Sequence, residues 1–483
     1  MEKRNWKIYY TEYAGPQKRA VDLLYRELGK HVLRDNGRYS FHTIACQTGE
    51  IDCESHAVVL GIYGQCPLLE AHITKEELPE NGYVVKVMDN PQNPQYKLVL
   101  LCGSSAVEVL YAAVDFVDDY VALATPSVDA FIHLRNELFE HPLPDYYHAT
   151  APDFKTRSIF TWGHPINDYA DYFANMARLK LNQVIIWNDF LPLNADDIVE
   201  CAHSYGIEVM WGFAWGWGFD CRKTDLSDLT ALKEQIVEEY NRTYKHVKGD
   251  GIYFQSFTEI NEDTIGGVRV SEAVTQLVNM TAAALLKDDP HLKLQFGLHA
   301  TSVKDHLDDI KQVDPRVEIV WEDCGKFPFK SFSGEFNEYK TPEAFAAHYD
   351  FTDRILTLRD RAASGIVYKS MLTMDWSRGR VTHQKGPYVM GDMAPETVQQ
   401  DAQLLEKIWR FYSAEWIEHG QLAQTLTRHI YAKTDGNVNM CLAGMFAGGI
   451  WFPTALLAQL FWNCREDYAV TRKRVLYRDW VKF

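Results

Sequence analysis

From Arg157 onward the chain repeats one pattern, a short apolar run of strand character followed by an amphipathic helical stretch. The runs begin near Arg157, Gln183, Ile207, Gly251, Lys293, Val317 and Gly365, and an eighth fits Asn437–Leu442. They are continuous rather than alternating, as strands buried on both faces are. The stretches between them carry helix signals. Asp168–Lys180 places Tyr169, Tyr172, Phe173, Met176 and Leu179 on one stripe. Asn194 can cap Ala195–Tyr205, and Gly206 can end it. Pro342 stands where a helix over Glu343–Ala363 would begin. This alternation predicts an α/β fold, a (β/α)8 TIM-type barrel over residues 151–450. A doubly wound open sheet is the alternative, but no G-x-G-x-x-G follows any strand, so its usual dinucleotide site is missing.

Residues 1–150 read as a smaller α+β domain. Ala57–Gly61, Tyr83–Val87 and Lys97–Gly103 have strand character, and helices are expected over Ala20–Arg34 and from Val107 to Val117. The proline-rich stretch Pro142–Pro152 reads as a linker. Residues 451–483 read as a helical carboxyl-terminal extension, with Val398–His419 and Thr454–Trp480 the late helical stretches. Their apolar residues raise the expectation of a homodimer.

The balance of 49 Lys and Arg against 66 Asp and Glu gives a net charge of −17, which opposes a nucleic-acid surface. No apolar run of about 18 residues is present, so no membrane span is expected. The 9 cysteines contain no C-x-x-C pair and no zinc-ligand spacing, and reduced, buried thiols are expected. With no apolar stretch behind the charges of Met1–Trp6, the expected location is cytoplasmic.

In a parallel barrel the chemistry lies at the carboxyl ends of the strands. Those positions hold Trp162 and His164; Trp187, Asn188 and Asp189; Trp211, Trp215 and Trp217; Gln255 and Glu259; His299; Trp321, Glu322 and Asp323; Asp375 and Trp376; and Trp451. Eight of the 13 tryptophans fall there. A flat indole stacks on the C–H face of a sugar ring, and carboxylates and amides beside it bind hydroxyls or move protons. A sugar subsite walled by Trp162, Trp187, Trp215 and Trp376 is expected, with Asn188, Asp189, Gln255 and His299 as polar contacts. Glycosidic hydrolysis usually uses two carboxyl groups. Glu259 is the candidate acid, with Tyr253 and Phe257 expected to desolvate it. Asp375 and Glu322 are the candidates for the base, and Asp323 is a weaker one. The substrate is then an oligosaccharide or other glycoside, and no cofactor or metal is needed. His164, His299 and His383 lack H-x-H or H-E-x-x-H spacing.

The stretch Asp250–Glu259 resembles the strand-four motif D-G-F-x-V-K-A-N-S-E of family-67 alpha-glucuronidases, and Met371–Trp376 is similar to their Q-I-T-Q-E-Y. Leu442–Trp462 resembles their late "G-H-x-L-A-x-A-N … G-R-L-A-W-N" segment, and Val109–Phe116 resembles a helix of the small domain preceding the barrel in families 67 and 20. The resemblance implies a barrel glycosidase with Glu259 as general acid and Asp375 as half of the base. Gln255 stands where that family's Lys holds a uronate carboxylate, strand five lacks its Arg, and no Asp lies at the matching place in Cys324–Phe329. Arg157–Phe160 and Met176–Asn182 also look like the opening of family-20 and family-84 hexosaminidases, whose neighbouring acid pair is absent here because Thr258 precedes Glu259. A hexosaminidase-like glycosidase and a non-catalytic carbohydrate-binding barrel are the alternatives.

Overall fold

A computed structural model describes residues 6–29, 41–45, 50–51, 53–121, 143–161, 166, 168–187, 191–216, 220–223, 225–298, 302–322, 352–360, 366–370, 395–444, 446 and 449–483. The chain divides into two compact units. The first is Met1–Pro152 with Met176–Lys180 and Cys201–Ile207. The second is Asp153–Asn175, Leu181–Glu200 and Glu208–Phe483, and it includes residues 451–483.

The first unit is built on a six-stranded sheet of β1 (Trp6–Tyr10), β2 (Phe41–Ala45), β3 (His56–Ile62), β4 (Tyr83–Asp89), β5 (Lys97–Gly103) and β6 (Tyr146–Thr150), in the order β2-β1-β3-β5-β4-β6. The first four in that order are parallel, and β4 runs antiparallel to both β5 and β6. The apolar runs of β3 and β5 are buried, as strands covered on two faces must be. One side of the sheet packs Tyr9, Val59, Leu69, Ile73, Leu98 and Leu100 into a single cluster. Pro142–Pro152 is not a linker throughout. Its Tyr-Tyr-His-Ala-Thr core has high strand propensity and becomes β6, an edge strand with the prolines outside its span. The helix Ala106–Asp115 ends in Asp115, which is buried and accepts hydrogen bonds from the Tyr83 hydroxyl and, at 2.6 Å, from Lys180 Nζ. Removing either member of such a buried ion pair leaves an uncompensated charge.

In the second unit eight parallel strands form a curled sheet: β7 (Arg157–Phe160), β8 (Gln183–Trp187), β9 (Glu208–Ala214), β10 (Gly251–Gln255), then, after the short hairpin β11 (Thr264–Ile265) and β12 (Val268–Arg269), β13 (Lys293–Leu298), β14 (Val317–Glu322), β15 (Ile366–Ser370) and β16 (Asn439–Ala443). Each pairs with the next, and β16 pairs with β7, so the hydrogen-bonded order closes. Helices Tyr169–Arg178, Ala195–His203, Thr230–Glu239 and Val270–Asp288 follow the first four strands of the ring. Gly206 follows the second of them at φ 72°, the left-handed backbone that suits a residue without Cβ. Most of the helix expected over Glu343–Ala363 lies outside the described residues. Of the late helices, Pro395–His419 is continuous, but the stretch expected over Thr454–Trp480 is two helices, Phe452–Trp462 and Tyr468–Leu476, the second capped by the Asp467 carboxylate.

Inside the ring the side chains sort into layers. Phe160, Ile185, Trp187, Met210, Tyr253, Val320, Cys441 and Ala443 form one apolar cluster. Nearer the amino ends of the strands lies a polar layer of Ser158, Gln183, Gln295, Glu318 and Asn439, joined by hydrogen bonds. The large rings fit because glycines face them. A Cβ on Gly212 would stand 2.8 Å from the Trp187 ring, and one on Gly297 would stand 2.1 Å from the Tyr253 hydroxyl. Residues of opposite parity fill the space between strands and helices. There Trp215 stacks on Phe254 at 3.5 Å, Phe254 on Phe296 at 5.2 Å, and Phe213 on Tyr244 at 4.5 Å. Six cysteines among the described residues are free thiols, four of them buried, and burial pushes Cys102 up to about 12.

The close approach at Gly297 is testable. Gly297→Ala is expected to destabilise the protein by about 1–3 kcal/mol through overpacking. Adding Tyr253→Phe, which removes the obstructing hydroxyl, is expected to recover part of that loss. Urea unfolding of the two single variants and the double variant measures the coupling.

Candidate active site

At the carboxyl end of β10 the chain passes through Ser256, Phe257 and Thr258, all buried, and emerges at Glu259, which is exposed. The turn is fixed from below. Ser302 donates its hydroxyl to the Thr258 carbonyl at 2.7 Å, a bond buried within the second unit. It is also held from the sides. Arg222, from the segment after β9, forms a two-pronged pair with Glu262 at 2.9 and 2.8 Å, and Asp263 meets His306 at 3.3 Å. The guanidinium of Arg222 holds the Glu262 carboxyl below the usual range, and hydrogen bonding to His306 does the same for Asp263. Such exposed pairs contribute little stability, but three anchors on eight residues restrict where the segment carrying Glu259 can go. None of these anchors follows from sequence spacing, because Arg222, Ser302 and His306 come from segments after other strands.

Tyr253 and Phe257 are the aromatic residues expected around Glu259. Tyr253 lies within the ring, Phe257 is buried, and Glu259 lies beyond both. Gln255 ends β10 inside the ring and is buried, its Nε2 donating to the Tyr253 hydroxyl at 2.9 Å. Trp187 ends β8 on the same inner face, edge-on to Tyr253 at 5.5 Å. Its backbone N–H donates to the Thr161 hydroxyl at 3.1 Å. Trp187, Tyr253 and Gln255 therefore form an uncharged group near the carboxyl end of the ring. Glu322 is the last residue of β14, opposite Lys369 of β15 in the parallel register. It shares with Glu259 a place at the carboxyl end of the strands. Trp162, Asn188, Asp189, His299, Asp375 and Trp376 lie outside the described residues.

Trp215 requires a correction. Its place at a strand end suggests a wall of the sugar subsite, but it is fully buried with one face covered by Phe254. The cause is strand parity. Beyond the end of β9 the chain keeps its alternation, its backbone N–H bonded to the Gln255 carbonyl at 2.8 Å, so the ring falls in the layer outside the barrel wall. Trp211, Trp321 and Trp451 are likewise buried. Tryptophan at a strand end marks the ring correctly but does not by itself mark an open binding surface.

Among the described residues no group of three or more His, Cys, Asp or Glu could hold a metal ion, and no helix is long and apolar enough to cross a membrane.

No family model matches the sequence, and no curated protein does. Solved structures similar to the chain include that titled "Structure of CpGH84D", at a TM-score of 0.49 and 10% identity over 97% of this chain and 67% of that one. They also include a GH138 enzyme described as targeting pectin rhamnogalacturonan II, at a TM-score of 0.49 and 10% identity over 96% of this chain. The chain spans about half the length of the latter, 51%.

The two readings of Trp215 separate experimentally. As a buried packing residue, Trp215→Ala is expected to cost about 3–5 kcal/mol of stability in denaturant unfolding. A variant of unchanged stability that had lost only sugar affinity would return Trp215 to the binding surface.

Proposed function

We propose that the chain is a glycoside hydrolase built on a (β/α)8 TIM-type barrel, cleaving a terminal glycosidic bond with two carboxyl groups. The observation that carries this reading is Glu259, an exposed acid on a segment anchored at three points just beyond the carboxyl end of the fourth strand in a closed parallel ring. A carboxyl that transfers a proton to a glycosidic oxygen needs this combination of access and fixed position. Glu259 is assigned as the acid that protonates the leaving oxygen. Asp375, aided by Glu322 at the end of β14, is assigned to the opposite side of the sugar, as base or nucleophile. A separation of roughly 6.5–9.5 Å between the two carboxyl groups gives inversion, and about 5–5.5 Å gives retention.

The sugar is read as neutral. Trp187 supplies an apolar edge, and Gln255 a neutral amide where a uronate site needs a cation. A buried carboxylate facing an amide instead of a charged donor forfeits on the order of 1 kcal/mol or more. Trp162 and Trp376 complete the apolar surface, with Asn188, Asp189 and His299 as hydroxyl contacts. The protein acts on the glycoside without a cofactor.

Screening aryl glycosides of neutral sugars, hexosaminides and glucuronides tests the assignment. Glu259→Gln is expected to lower kcat by about 10²–10⁴-fold on the best substrate with KM little changed, since only the proton is removed. Hydrolysis is expected to survive a chelator. If neither the wild type nor the variant turned over any glycoside while both still bound sugar, a non-catalytic carbohydrate-binding barrel would replace this reading.

A further inference from the structure

The polar layer at the amino end of the ring has a fixed direction of donation. Ser158 donates to Asn439 Oδ1 at 2.7 Å, Asn439 Nδ2 donates to Gln183 Oε1 at 3.1 Å, and Gln183 Nε2 donates to Glu208 Oε2 at 3.0 Å. Gln295 Nε2 spends both of its hydrogens, one on Gln183 Oε1 at 3.1 Å and one on Glu318 Oε2 at 2.6 Å. The chain of bonds thus runs into two acids, and the two are treated differently. Glu208 is paired with Lys293 at 2.6 Å. Glu318 has no cation at ion-pair distance among the described residues. Beside it, Gln295 Oε1 is buried and receives no hydrogen bond. A buried amide oxygen without a donor is unfavourable. A protonated carboxyl next to the same amide group carries the one donor that is missing.

We propose that Glu318 is a proton-binding site of the barrel floor: in the folded chain its carboxyl holds a proton and pairs with the Gln295 amide, donating O–H to Oε1 while accepting from Nε2. Folding then takes up one proton at this residue. Desolvation is the largest influence on Glu318; it outweighs the hydrogen bond from Gln295 and the charge of Lys293, which favour the carboxylate, and with Glu208 it raises the residue from its ordinary 4.5 to about 7. Below about pH 4.5 the residue is protonated in both states and contributes no pH dependence. Between there and about 7 the unfolded chain has lost the proton and the folded chain has not, so stability falls as pH rises. Above that range the carboxyl is ionised in both states, and the loss is complete. No activity enters this proposal, so it stands or falls apart from the glycosidase reading.

Urea unfolding of the full chain across this range, wild type against Glu318→Gln, tests it. The amide of Glu318→Gln reproduces both hydrogen bonds of the protonated acid without titrating. The folding constant of the wild type is expected to fall, relative to that of the variant, by about tenfold per pH unit between about pH 5 and 7. Parallel pH profiles would overturn the assignment. Should the variant not fold, the infrared spectrum of the wild type decides. The carbonyl band of a protonated carboxyl is expected at about pH 6 and lost by about pH 8, and its absence at about pH 6, where ordinary carboxyls are ionised, would equally overturn the proposal.

Discussion

Room inside the ring is the constraint on which the second unit depends. Eight strands enclose a space that side chains just fill. Here two of the largest residues, Trp187 and Tyr253, point into it from β8 and β10. They do so because the neighbouring strands present glycine at the same level, Gly212 beside Trp187 and Gly297 beside Tyr253. A third glycine, Gly251, lets the Met210 side chain pass where a Cβ would stand 2.5 Å from it. The aromatic rings and the glycines are one packing solution, and neither set is tolerable without the other.

That solution divides the interior by polarity. The polar layer lies at the amino ends, the aromatic and aliphatic layer above it, and Gln255 at the carboxyl end returns a single neutral amide. In parallel barrels, features at the amino end serve stability and those at the carboxyl end serve chemistry. The two acids differ in position. Glu318 sits within the wall and bonds to its neighbours, whereas Glu259 leaves the wall and is exposed on its anchored segment.

The architecture was legible because burial on both faces leaves a plain mark. The continuous apolar runs at Arg157, Gln183, Gly251, Lys293 and Val317 begin at the first residues of β7, β8, β10, β13 and β14. The six-stranded sheet of the first unit was partly legible, since β3, β4 and β5 carry apolar runs at their centres. Its edge strand β6 was not, because flanking prolines look the same around a linker and around an edge strand. At the candidate site, sequence placed Glu259 at a strand end but misjudged Trp215. Alternation beyond the end of β9 decides whether Trp215 faces a ligand or the helices, and composition carries no trace of that choice. The partners of the Glu259 segment were invisible for a different reason. Ser302, Arg222 and His306 are brought to it by the closure of the ring, a relation of elements far apart in the chain.

Cys441 lies among the aromatic residues of the interior cluster, buried in β16, the strand that seals the ring against β7. A thiol in that place is shielded from a water-borne alkylating reagent for as long as the strands stay zipped. Its labelling rate is therefore set by how often the seam between the last and first strands parts, and the chain carries its own clock for that opening.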